Sequence, residues 1–127
     1  MSYSLVFTDK KKYLHVQVTG TNSVETVRSY TSEIFQMCDA KAIRAVLIEE
    51  NLAGPGLPLS DIFQLVSGAS KQILKMPWIA VVDINPAHNQ DHMKFAENVG
   101  VNRGIKLRAF PDVASAEKWL LELPQNL

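Results

Sequence analysis

From Tyr13 to Gly20 the chain alternates. Leu14, Val16 and Val18 are apolar, while His15, Gln17 and Thr19 between them are polar. A period of two is the signature of a strand with one buried face. Residues 4–8 predict a second extended segment before it, joined through a turn at 9–12. After Gly20 the period changes. Val24, Val27, Thr31, Ile34 and Cys38 step by three or four, which places them on one face of a helix. Asn22, with Glu25 three residues on, reads as the capping box that starts it.

Two later runs, Ala45–Ile48 and Trp78–Val82, are continuously apolar, as strands buried on both faces of a parallel sheet are. The first is expected to end at Glu49, Glu50 and Asn51. Gly54, Pro55, Gly56 and Pro58 then predict an irregular loop over 52–59. Ser60 or Asp61 is placed to cap the following helix, with Ile62, Phe63, Val66, Ala69 and Ile73 inward. Pro77 stops that helix. Asn85 and Pro86 read as the N-cap and first turn of another, with Met93, Ala96 and Val99 inward and Gly100 at its end. Residues 106–110 form the last strand. Asp112 caps a final helix that buries Val113, Ala116, Trp119 and Leu120.

The order ββαβαβαβα predicts an α/β fold: one domain over residues 1–127, with a four- to five-stranded, mixed but mainly parallel sheet and about four helices. At 127 residues the chain is long enough to bury a core without disulfides or metals. Thirteen basic residues balance thirteen acidic ones, so no net field draws it to nucleic acid. No apolar stretch reaches the roughly 20 residues of a membrane span, and no secretory h-region opens the sequence, so a soluble cytoplasmic protein is expected. Cys38 is the single cysteine. It falls on the apolar helix stripe and reads as a core residue.

The closing segment, Lys106-Leu-Arg-Ala-Phe110-Pro-Asp112-Val-Ala-Ser-Ala116-Glu-Lys-Trp119-Leu120, resembles the SpoIIAA-like proteins, relatives of the STAS domains of anti-sigma-factor antagonists. In that family a strand ending in Phe leads through a short acidic cap into a helix with an Ala…Trp-Leu pattern. The order of elements is similar over nearly the whole chain. The resemblance implies a STAS-like fold and a role in protein interaction. It also implies a phosphorylatable serine at the start of the helix after the third strand, where Ser60 stands. A helix N-terminus is a favourable place for phosphate. The family's Asp-Ser-Ser/Thr-Gly-like signature is absent here, since Leu59 precedes Ser60 and Asp61 follows it.

In open α/β sheets, ligands bind outside the carboxyl ends of the parallel strands. Those ends carry Glu49, Glu50, Asp83 and Asn85, which with the 52–59 loop define the expected rim. Glu49 and Glu50 are adjacent in a strand and point to opposite sides, the wrong arrangement for a cooperating acid–base pair. His88 and His92 are spaced to share a helix face and so to offer two metal ligands, if that helix begins at Pro86. His15 reads as a surface residue. Ser67 lacks a nucleophile elbow, and the Gly54–Gly56 loop lacks a phosphate-binding lysine.

No catalytic centre, resident metal or cofactor is expected. The leading functional reading is a non-enzymatic interaction domain that meets a protein partner through residues 52–60 and the helix after them, with Leu57, Leu59 and Ser60 in contact. The alternative is a carrier or sensor of a small apolar ligand, with the same loop as its lid. An uncharacterised enzyme is the third reading. It requires Glu49, Asp83 or His88 to converge in a cleft. A homodimer is compatible with each.

Overall fold

The computed structural model describes residues 3–71 and 76–124. Five strands form a single mixed sheet in the order β1-β2-β3-β4-β5. They are β1 (Tyr3–Asp9), β2 (Leu14–Thr21), β3 (Ala45–Ala53), β4 (Trp78–Asp83) and β5 (Leu107–Phe110). The opening hairpin makes β1 and β2 antiparallel, and every later pairing is parallel. The helices are α1 (Val24–Ala40), α2 (Leu59–Ala69), α3 (Gln90–Asn102) and α4 (Val113–Leu121). The expected order of elements and the mainly parallel sheet are both present.

Each crossover from β2 to β5 advances one strand in the same direction. Right-handed crossovers therefore place their three helices on one face of the sheet. Leu14, Val16, Val18, Val46, Ile48, Leu52, Ile79 and Val81 point to that face and meet Tyr30, Ile34, Phe35 and Cys38 of α1. The other face is smaller. There Leu47, Ala80 and Val82 pack against Ala116 and Leu120 of α4, with Trp78, Phe110 and Trp119 at its margin. Trp119 stands edge-on to Trp78 at 5.8 Å between ring centroids.

Several element boundaries differ from the sequence expectation. β3 does not stop at Glu49 but runs to Ala53, because Glu50 and Leu52 continue the inward alternation begun by Val46 and Ile48. The cap of α1 is Ser23, whose side chain accepts from the Thr26 N–H. Asn22 instead donates to the Pro55 carbonyl at 2.9 Å. The α1 face is also rotated, so that Thr26, Tyr30 and Phe35 are buried with Ile34 and Cys38. Pro58, not Ser60 or Asp61, precedes α2, which has no side-chain cap. Asn89 caps α3 four residues later than Asn85-Pro86 suggests, and α3 continues through Gly100 to Asn102. α3 approaches β5 closely here: a Cβ at Gly100 would lie 3.1 Å from Leu107 Cδ2.

α2 lies closest to α3 and α1, and its Val66 and Ala69 pack against the main core. It has no fully buried residue. Its inward positions Ile62, Leu65, Val66 and Ala69 face a cavity left between the three helices and the sheet. Phe63, expected inside, is 41% exposed, and Ile73 lies outside the described residues.

Candidate functional site: an apolar cavity closed by a carboxyl–imidazole cluster

The cavity has a volume of about 170 Å³ and is partly enclosed. For comparison, an engineered apolar cavity of about 150 Å³ holds a benzene molecule, and one water occupies about 30 Å³ of liquid. Val27 and Phe35 from α1, Leu65 and Val66 from α2, Met93 and Ala96 from α3, and Ile48, Val81 and Leu107 from the sheet supply most of its wall.

One end of the cavity is polar, and register explains why. Glu50 in β3 lies directly beside Asp83 in β4, and alternation turns both side chains toward the helices. Tyr30, fully buried on α1, donates its hydroxyl to Glu50 Oε2. Burial pushes the Glu50 carboxyl up to about 7. The Tyr30 hydrogen bond and the charge of His88 pull it down, while Asp83 pushes it further up. Tyr30 itself is held well above the usual phenol range by burial and then by the Glu50 charge.

His88 lies in the segment between β4 and α3 and is buried. Its Nδ1 is 2.7 Å from Asp83 Oδ2, and its Nε2 is 2.7 Å from the Gly54 carbonyl. Two acceptors facing two ring nitrogens call for the imidazolium, the one form that donates from both. Burial works against that charge. The Gly54 carbonyl, the Asp83 hydrogen bond and charge, and the Glu50 charge outweigh it, so the His88 pKa is raised above its ordinary value. Asp83 Oδ1 accepts from the Asn85 N–H, which completes an Asx turn. Asn85 Nδ2 donates to the Leu52 carbonyl at 2.7 Å. Gly54 adopts φ +99, a backbone conformation that side chains strain, with open space beside its Cα. Asn22, Asn85 and His88 thus hold the end of β3 and the loop after it against the cavity, with Gly56 and Leu57 in its wall.

The residues singled out from sequence separate into three groups. Asp83, Asn85 and His88 come together, and Leu57 lines the adjoining cavity. Glu49 is on the opposite face of the sheet, where its Oε1 lies 2.8 Å from His15 Nε2. That contact makes His15 a half-buried partner rather than a free surface residue. Leu59 and Ser60 are exposed in the first turn of α2, away from the cluster. His92 also lines the cavity, but the late start of α3 leaves His88 off the helix, so the two histidines do not share a helical face. Among the described residues no group of three or more His, Cys, Asp or Glu is arranged to hold a metal ion. Cys38 is a buried core residue whose thiol burial pushes up to about 11.

Tyr30 is absent from the sequence expectation, and Glu50 stands in it only as one of the polar residues of the rim. The signal for Glu50 lies in the strand pattern: extending the inward positions 46 and 48 by two and four reaches Glu50 and Leu52. Chemically, the cluster presents a carboxyl that exchanges its proton near neutrality and a charged imidazole fixed by two acceptors. His88 has no free lone pair to act as a base while it holds Gly54.

No family model and no curated protein matches the sequence. Among solved structures, an anti-sigma factor antagonist from Mycobacterium paratuberculosis has a similar fold, with a TM-score of 0.61 over 95% of this chain and 96% of that chain, at 16% identity. The STAS-like fold implied by the closing segment is therefore the fold of this chain. At this identity the likeness concerns architecture, and function must be argued from the site. Among the described residues no helix is long and apolar enough to cross a membrane.

Proposed function

We propose that this chain is a binding domain for a small, largely apolar ligand held between α2 and the sheet. The observation that carries the reading is the apolar cavity beneath α2. A helix with four apolar positions bordering about 170 Å³ of partly enclosed space is an arrangement that a ligand would complete. The loop tied down by Asn22, Asn85 and His88 serves as the wall that must move for entry. Native mass spectrometry of protein freshly purified from its own host tests this. A small molecule that leaves on gentle denaturation is expected. Protein that carries none, and takes up no apolar probe of benzene size, contradicts it.

A second reading, docking of a protein partner on the outer face of α2, is supported by Leu59 and Phe63, which are 45% and 41% exposed on that helix. The Arg103 guanidinium lies 4.7 Å from the Phe63 ring centroid and leaves part of that ring uncovered. The two readings are compatible, since a ligand beneath α2 would alter the position of its outer face. In that combined form the domain is regulatory, with the ligand as input and the partner contact as output. Phosphorylation of exposed Ser60 would add negative charge at the same helix N-terminus.

A further inference from the structure

Within that ligand-binding reading, we infer that the cavity selects an organic cation: a compact apolar body of about benzene size carrying a protonated amine, whose ammonium group pairs with Glu50. The inference rests on a charge inventory of the polar end. Asp83 and His88 neutralise each other at 2.7 Å; the other ring nitrogen of His88 donates to the Gly54 carbonyl, and the other oxygen of Asp83 accepts from the Asn85 N–H. Glu50 is left over. Its Oε2 accepts from Tyr30, and its Oε1 has no protein hydrogen-bond partner among the described residues.

Among the described residues no lysine or arginine lines the cavity to balance Glu50. α1 presents the neutral Tyr30 hydroxyl and β4 presents Asp83. The segment before α3 presents His88, already committed to Asp83, and α3 adds His92. The lining positions of α2 are all apolar, and the loop ahead of it contributes Gly56 and Leu57. An ionised carboxylate half withdrawn from water without a partner of its own is unfavourable, so the group either takes a proton or finds a cation. The raised Glu50 pKa is the first response, and an ammonium ligand supplies the second. A carboxylate ligand would instead place like charges together.

The test is a set of four probes of one shape: toluene, benzylamine, benzyl alcohol and benzoate, each titrated into the full chain and followed by amide chemical shifts. At pH 8 benzylamine is expected to bind at least tenfold more tightly than benzyl alcohol, with benzoate weakest. Between pH 8 and pH 6 its affinity should fall about tenfold, as a proton competes for a carboxyl that titrates near 7. Toluene and benzyl alcohol should show no such change. Glu50→Gln should abolish the amine preference and leave toluene binding intact.

Binding of toluene with equal or weaker binding of benzylamine would overturn the cation assignment while the ligand cavity stands. Failure of all four probes would instead remove the cavity reading itself. The wild-type series decides the matter even if the Glu50 variant does not fold.

Discussion

His88 and Gly54 are joined by a contact between a ring nitrogen and a backbone carbonyl at 2.7 Å, while the other nitrogen of the same ring meets the Asp83 carboxylate. The loop after β3 is therefore fastened by a proton. When His88 is neutral and keeps Nδ1–H for Asp83, Nε2 turns a lone pair toward the Gly54 oxygen and the tie is lost. The His88 pKa is raised in the folded protein. Its stabilising contribution is thus complete below the ordinary histidine value and disappears as pH rises through the folded-state value. A proton NMR titration of the His88 ring should give a midpoint above 6.5, and His88→Ala should speed hydrogen exchange in residues 52–58 after correction for intrinsic rates. A midpoint below 6.5, with exchange unchanged in the variant, would remove the fastening.

Glu50 makes a second, independent pH prediction. Burial raises its folded pKa to about 7, above that of an exposed carboxyl, so the folded state binds more protons than the unfolded state. Stability from this group is complete below the unfolded value near 4.5 and falls as pH rises toward 7. Between pH 5 and pH 8 the loss should be on the order of 2 kcal/mol. Glu50→Gln keeps an acceptor for Tyr30 and cannot ionise. Urea denaturation of the variant and the wild type across that range should show the difference between them shifting in the variant's favour by that amount.

Tyr30→Phe removes the hydrogen-bond donor that the Glu50 carboxyl has among the described residues. A desolvated acceptor left without its partner costs about 1–3 kcal/mol, and the lost hydrogen bond no longer holds the carboxyl pKa down. Denaturation midpoints should fall accordingly. The Glu50 titration, followed by carbon NMR of its side-chain carboxyl, should move upward from about 7.

Gly100→Ala probes the space beside the cavity. The added Cβ would lie 3.1 Å from Leu107 Cδ2 and 3.5 Å from Val66 Cγ1. Both side chains line the cavity and have room to withdraw into it. The gain in helix propensity, about 0.5–1 kcal/mol, should therefore survive, and the melting temperature should rise. A fall in melting temperature would mean that Leu107 and Val66 are packed too firmly to yield.

The hairpin, both apolar parallel strands and the Asp112 cap were legible because in each case local pattern and tertiary environment agree. The sequence reading failed around the polar cluster, and for one physical reason. Glu50 occupies an inward strand position where an apolar residue is expected, so the strand seemed to end early. Asn85-Pro86 has the composition of a helix start but forms a turn that delivers His88 to Asp83 and Gly54. α2 misled in another way. Its apolar periodicity predicts a filled core, whereas several of these residues border a cavity, and periodicity does not reveal where a packed face leaves space. Departures from local consistency gather where a structure is shaped for function, and Glu50, Asn85 and His88 form such a group.

The central claim is that the space beneath α2 receives an apolar molecule, and toluene titration with amide detection tests it most directly. Saturable shifts are expected at Ile48, Val81 and Met93, and they should vanish in Ala69→Leu, where the added side chain fills the cavity. Shifts that stay linear to the solubility limit, or that persist unchanged in the filled variant, would contradict it.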